Sequence, residues 1–149
     1  MRLTNEILLP VERTVAWDAL NDADVLRRCI PGCQSLETTE DGGFKATVKL
    51  RIGPISATFN GRVELSDLDP PSSYRISGSG DGGIAGMAKG GATVTLTTVE
   101  GGTLLAYDVD AQIGGKLAQL GARMIDSVSR KLAGQFFESF AREVAPAAV

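Results

Sequence analysis

Residues 44–65 read FKATVKLRIGPISATFNGRVEL, and their alternation decides the fold. Phe44, Ala46, Val48, Leu50 and Ile52 alternate with Lys45, Thr47, Lys49 and Arg51. After Gly53-Pro54, a second run of Ile55, Ala57, Phe59, Gly61, Val63 and Leu65 alternates with Ser56, Thr58, Asn60, Arg62 and Glu64. A period of two puts one set of side chains on a buried face and the other in water, and the short Gly-Pro step joins the runs as a hairpin. Similar punctuation recurs at Asp41-Gly42-Gly43, Asp69-Pro70-Pro71-Ser72 and Glu100-Gly101-Gly102. It predicts further strands over about 34–40, 74–80, 89–99 and 103–113.

Outward from this block, Arg2 to Leu9 predicts a first strand. Pro10 suits the first turn of a short helix with Val15, Ala16, Ala19 and Leu20 on its apolar face. Asn21-Asp22 caps a second small helix, Ala23 to about Cys29, which Pro31-Gly32 must end. From Lys116 to Val144 the period changes: Leu117, Leu120, Met124, Val128, Leu132, Phe136, Phe140 and Val144 fall mostly four apart. That predicts one long amphipathic helix of about 45 Å, against about 33 Å for a ten-residue strand. A row spaced at four drifts about 40° per step around a helix of 3.6 residues per turn, so the buried face must be broad. A curved sheet wrapped around the helix meets that need. The expected fold is α+β with the helix-grip architecture: a seven-stranded curved antiparallel sheet, two short helices after strand 1, and a long C-terminal helix crossing the sheet and enclosing an apolar cavity.

The chain has 149 residues, which suits one domain, 1–145, with a short tail, 146–149. Hydrophobic residues at 43%, charged residues at 22% and a mean hydropathy of +0.04 are globular values, and no run approaches the roughly 18 apolar residues of a membrane span. There is no histidine, so Ser-His-Asp and Cys-His nucleophiles, HExxH zinc sites and imidazole bases are all excluded. A net charge of −3 and a pI near 5.0 lack the footprint of a nucleic-acid binder, so no nucleic-acid partner is expected. Ile7, Leu8 and Leu9 are too short a run for a signal peptide. With Cys29 and Cys33 consistent with a reducing compartment, a cytoplasmic location is expected.

Glycine is in excess, at 18 residues. Gly78-x-Gly80-x-x-Gly83 fits a dinucleotide-binding pattern and follows a strand, but Ile84 to Gly91 opens no helix to hold a pyrophosphate. If Tyr74 and Ile76 face inward, so do Gly78, Gly80 and Gly82, leaving half of that face without side chains. Either these glycines make space, or the terminal helix packs close to them, or a bulge requires them. Cys29 and Cys33 would fill only half of a tetrahedral zinc site, so buried inert thiols and no metal are expected. Asp108 and Asp110 face outward and read as a solvated pair near Lys49 or Arg62. An apolar ligand between helix and sheet would touch Met124, Val128 and Leu132 on one side. On the other it would touch Phe59, Ile76, Gly78, Gly80, Val94, Leu96, Tyr107 and Val109, with the Tyr107 hydroxyl orienting a polar head group.

Several strings together resemble one family: Trp17-Asp18-Ala19-Leu20, Pro31-Gly32-Cys33, Ile52-Gly53-Pro54-Ile55, Gly114-Gly115-Lys116-Leu117-Ala118-Gln119-Leu120-Gly121 and Phe136-Phe137. In order and spacing the chain is similar to the CoxG family of carbon monoxide dehydrogenase components, within the START-like (SRPBCC, Bet v 1-like) helix-grip superfamily. The resemblance implies a non-catalytic accessory protein of a molybdenum hydroxylase of the CO dehydrogenase type. It further implies an apolar ligand, a quinone or other lipid, with no covalent cofactor, and a link between enzyme and membrane or electron acceptor. Longer relatives carry a Pro/Ala-rich linker and hydrophobic tail, whereas this sequence ends at Ala145-Pro146-Ala147-Ala148-Val149. The expectation is therefore transient peripheral contact, at the inner face of the cytoplasmic membrane, through an apolar rim of Ile30, Pro31, Ile84 and Met87. Two other readings compete. A maturation or assembly factor would bind the enzyme through the outward row Lys45, Lys49, Arg51 and Arg62. A small cyclase- or hydrolase-type enzyme would need polar groups converging in the pocket, and the inward positions are almost all apolar.

Overall fold

The computed structural model describes residues 1–145; the expected tail, 146–149, lies outside them. The chain runs β1 (Arg2–Leu9), α1 (Arg13–Leu20), α2 (Ala23–Cys29), β2 (Cys33–Thr38), β3 (Phe44–Ile52), β4 (Ile55–Asp69), β5 (Ser73–Asp81), β6 (Met87–Val99), β7 (Gly102–Gly114) and α3 (Ala122–Val144), with 3₁₀ turns at Gly83–Ala85 and Gly115–Leu120. All seven strands form one antiparallel sheet in the order β1-β7-β6-β5-β4-β3-β2. Consecutive strands pair throughout β2 to β7, and β1 closes on β7. This is the expected helix-grip arrangement.

Local chemistry places these elements. The β3–β4 hairpin pairs Ile52 with Ile55, Val48 with Phe59 and Ala46 with Gly61, so the apolar set of each strand shares the inner face while Lys45, Lys49, Arg51 and Arg62 lie on the outer one. Asp22 caps α2: its carboxylate accepts the backbone N–H of Asp24 at 2.9 Å and of Val25 at 3.3 Å, a contact worth about 1 kcal/mol. The helix ends at Pro31-Gly32, where Gly32 takes φ +73° and its carbonyl accepts the Lys49 N–H at 2.9 Å. A side chain at Gly32 would collide with the Lys49 carbonyl. Glycine thus lets the end of α2 lie directly on β3.

The C-terminal segment departs from the single helix expected from Lys116. Residues 115–120 form a 3₁₀ turn, Gly121 at φ +90° redirects the chain, and α3 starts at Ala122. The drift of a four-residue spacing explains a second departure. Four steps back from Phe140 accumulate roughly 160°, so Met124 leaves the buried face and is 38% exposed, and Ile125 is buried in its place.

The core sits where α1 covers β6 and β7 and α3 lies against β1. It joins Leu3, Leu9, Leu96, Leu105, Phe140 and Val144. Tyr107 stacks on Phe137 at 5.0 Å, and Phe136 stacks on Phe140 at 5.9 Å. Thr103, fully buried, donates its hydroxyl proton to the Val11 carbonyl at 2.8 Å, so this polar group is satisfied. Because α3 leans toward the β1–β7 side, the inner face of β3 to β5 is left facing α2 and open space.

Candidate functional site

That space is an apolar cavity of two lobes, each of about 350 Å³, within the range of small-molecule sites. The outer lobe lies between Ile52, Phe59, Gly80, Ala88 and Ile113 of the sheet, Ile30-Pro31, and Leu117, Ile125, Val128 and Leu132 of the C-terminal segment. The inner lobe lies between Ala46, Val63, Ile76 and Val94 of the sheet, Leu20 and Leu26 of the short helices, and Phe136 and Phe137 of α3. Ile30, Val48 and Gly61 line both lobes, so the two are continuous along the sheet. Phe44, Tyr74, Val94 and Leu105 make the inner lobe the deeper one, each being nearly inaccessible to solvent.

Glycine creates part of this volume. Gly61 and Gly80 are register partners on β4 and β5, and both line the outer lobe. A Cβ at Gly80 would meet nothing within 4 Å, and one at Gly61 would come no closer than 3.6 Å to any atom. The other two glycines of the expected row act differently. A Cβ at Gly78 would lie 2.8 Å from the Arg62 carbonyl oxygen, and one at Gly82 would collide with the Phe59 ring. The alternatives left open by the sequence therefore divide by residue: space at Gly80, close packing at Gly78 and Gly82.

Of the residues expected to contact a ligand, the structure gathers Phe59, Gly80, Val128 and Leu132 on the outer lobe and Ile76 and Val94 on the inner one. Five do not line it. Gly78 is pressed against β4; Leu96 and Tyr107 belong to the core, and Val109 packs against it; Met124 has drifted to the outside, against Gly53 of the hairpin tip. The reason is common to Leu96, Tyr107 and Val109: the core forms on β6 and β7, and the space opens over β3 to β5. The β3 wall, namely Val48, Leu50 and Ile52, is legible in the sequence as an inward row, but nothing in the alternation marks it as cavity rather than core. Of the expected rim, Ile30 and Pro31 line the outer lobe, while Ile84 is 86% and Met87 47% exposed at the β5–β6 turn.

No charged side chain lines either lobe, and the polar side chains on the walls are Ser129 and Tyr74. Ser129 donates its hydroxyl proton to the Met1 thioether at 3.2 Å. Tyr74, not Tyr107, is thus the tyrosine of the cavity. Trp17 meets it edge-on at 5.1 Å, and burial raises its hydroxyl well above the ordinary phenol range, keeping it protonated. Cys29 is buried and Cys33 half-buried; both are free thiols, and burial pushes both upward. The wall formed by α2 is clasped to α3: Arg28 donates to both carboxylate oxygens of Glu143, at 2.9 and 3.1 Å, and holds Glu143 below its ordinary value. Asp108 is likewise lowered, but by Arg2 of β1 at 2.7 Å, which corrects the expected neighbours Lys49 and Arg62. Arg2 reaches it because β1, not β4, is paired beside β7.

A curved seven-stranded sheet gripping one terminal helix around an apolar cavity defines a START/Bet v 1-like helix-grip protein. Ara h 8.0201 has this fold, with a TM-score of 0.64 and 18% identity over 97% of each chain. A Chromobacterium violaceum protein matches with a TM-score of 0.72 and 16% identity over 98% of this chain and 99% of that one. A conserved protein from Geobacillus kaustophilus is nearer, with a TM-score of 0.89 and 31% identity over 97% of this chain and 95% of its own. No curated protein matches. Residues 6–145 match the CoxG family of carbon monoxide dehydrogenase components, and the chain belongs to that family.

Proposed function

We propose that the protein is a non-catalytic accessory protein of a CO dehydrogenase-type molybdenum hydroxylase. It takes a quinone or other lipid into its cavity and links the enzyme to the membrane or to its electron acceptor. Family membership supports the accessory role. The observation that carries the ligand reading is the continuous two-lobed cavity with no charged side chain on its walls. Such a surface favours molecules whose removal from water is driven by about 25 cal/mol per Å² of apolar area, and it offers none of the converging titratable groups that catalysis on this scaffold would need.

Contact with a bilayer would be made at the outer-lobe end. Ile84 and Met87 project there, and exposed Lys116 stands on the 3₁₀ turn packed against the Ile84 turn. Apolar side chains beside cations suit an anionic lipid surface. No helix among the described residues is long and apolar enough to cross a membrane. The test is transfer of decylubiquinone between donor and acceptor vesicles. The protein should accelerate it, and Ile84→Asp should slow transfer without altering equilibrium binding in solution; no acceleration by the wild type would refute the linking role.

One observation favours docking on the enzyme through the sheet's outer face as a second reading. Lys45 and Arg62 are register partners on that face, and like charges placed opposite one another weaken a sheet. An acidic surface would relieve that repulsion. Reversing both charges should abolish enzyme association and leave ligand uptake intact if this face docks.

A further inference from the structure

A cavity without charge still selects its ligand, through whatever polar atoms remain on its walls. The inner lobe has one such side chain, Tyr74. It is 4% exposed, and burial is the sole influence on its hydroxyl, with no hydrogen bond acting on it. Buried hydroxyls normally have a partner, because leaving one unmade forfeits the hydrogen bonds that water supplied. The ring is fixed between Trp17 on one side and Val94, its register partner, on the other, so the hydroxyl cannot swing far to find a partner elsewhere.

We infer that the inner lobe seats the polar end of the ligand, an uncharged carbonyl or hydroxyl oxygen that accepts a hydrogen bond from Tyr74, while the apolar remainder runs through the outer lobe toward the Ile84 end. This rests on the cavity being a ligand site. Three features of the walls converge on it. Tyr74 lies on the deeper lobe, so a head group bound there is shielded from water and its hydrogen bond does not compete with solvent. The hydroxyl stays protonated, so it donates. No lysine or arginine lines either lobe, so an ionised carboxylate or phosphate would be buried without a counter-charge, which is strongly unfavourable. The ligand class is therefore neutral and single-headed, such as a quinone or prenol, and ionised fatty acids and phospholipid head groups are excluded from the inner lobe.

The chain has one tryptophan, and Trp17 touches Tyr74, so its emission reports occupancy of the inner lobe. Full-length protein is titrated with decylubiquinone, followed by Trp17 quenching, and with diphenylhexatriene, a hydrocarbon followed by its own fluorescence. Tyr74→Phe should weaken decylubiquinone about fivefold to tenfold, the worth of one hydrogen bond, and leave diphenylhexatriene unchanged. The infrared carbonyl stretch of the bound quinone should lie below its position in hydrocarbon solvent and return toward it in the variant. Palmitate at pH 8 should compete poorly with either probe. Equal quinone affinity and an unshifted carbonyl band in wild type and Tyr74→Phe would overturn the role of Tyr74; palmitate binding as tightly as quinone would overturn the neutral class. A wild type that takes up neither probe would instead overturn the ligand reading on which the inference rests.

Discussion

Gly80→Leu tests the cavity by filling it. The position is extended β-strand with no positive φ, and a Cβ there has no atom within 4 Å, so the side chain enters without strain. Replacing glycine in a strand gains roughly 0.5–1 kcal/mol of backbone entropy. Burying the four added carbons in apolar surroundings gains up to about 0.8 kcal/mol each, reduced because the chain is partly collapsed before folding. A net gain of about 2 kcal/mol corresponds to a melting temperature raised by roughly 4–8 °C for a chain of this size. The same carbons occupy the outer lobe, and a ligand displaced by the equivalent of two methylenes loses about tenfold or more in affinity. Calorimetry of delipidated protein together with probe titration measures both effects. A lower melting temperature, or unchanged probe affinity, would refute the assignment of Gly80 to an open wall.

Other outcomes follow from the same geometry. Gly82→Ala, which would collide with the Phe59 ring, should lower stability by about 1–3 kcal/mol, the usual cost of overpacking; a melt within error of wild type would contradict the contact. Phe140→Ala removes a fully buried ring and should cost about 3–5 kcal/mol, or roughly 10 °C in thermal unfolding. Glu143 is lowered by Arg28, so their clasp contributes fully above the ordinary carboxylate range and is lost as pH falls through the lower native value. The difference in melting temperature between wild type and Arg28→Ala should therefore be present at pH 7 and close in acid; a pH-independent difference would show that the clasp is not the cause.

The strands are legible in the sequence because each of their faces meets a different medium. The alternation from Phe44 to Leu65 specifies which side chains point inward, and the turn residues set where the runs reverse. The site is legible only in part. Alternation gives the face of a residue but not which helix covers that face, so Tyr74 and Tyr107, both inward on β5 and β7, cannot be told apart by it. Their difference arises from the lean of α3 toward β1, which puts Phe137 on Tyr107 and leaves Tyr74 facing space. Met124 leaves the buried face for a reason present in the sequence, the drift of a four-residue spacing. Gly121 breaks the helix, yet a single glycine within a helical pattern does not by itself announce a break. The partnership of Gly61 with Gly80 needs the register of β4 against β5, which follows from the Asp67-to-Pro71 connection and its irregular pairing.

The central claim is that the two lobes hold one uncharged apolar molecule, and native mass spectrometry of the purified chain tests it most directly. The expected result is a one-to-one adduct, removed by organic extraction and identified as a neutral quinone- or prenol-like lipid, restored by added decylubiquinone and much reduced in Gly80→Leu. A chain that runs at its sequence mass and takes up no decylubiquinone would contradict the account.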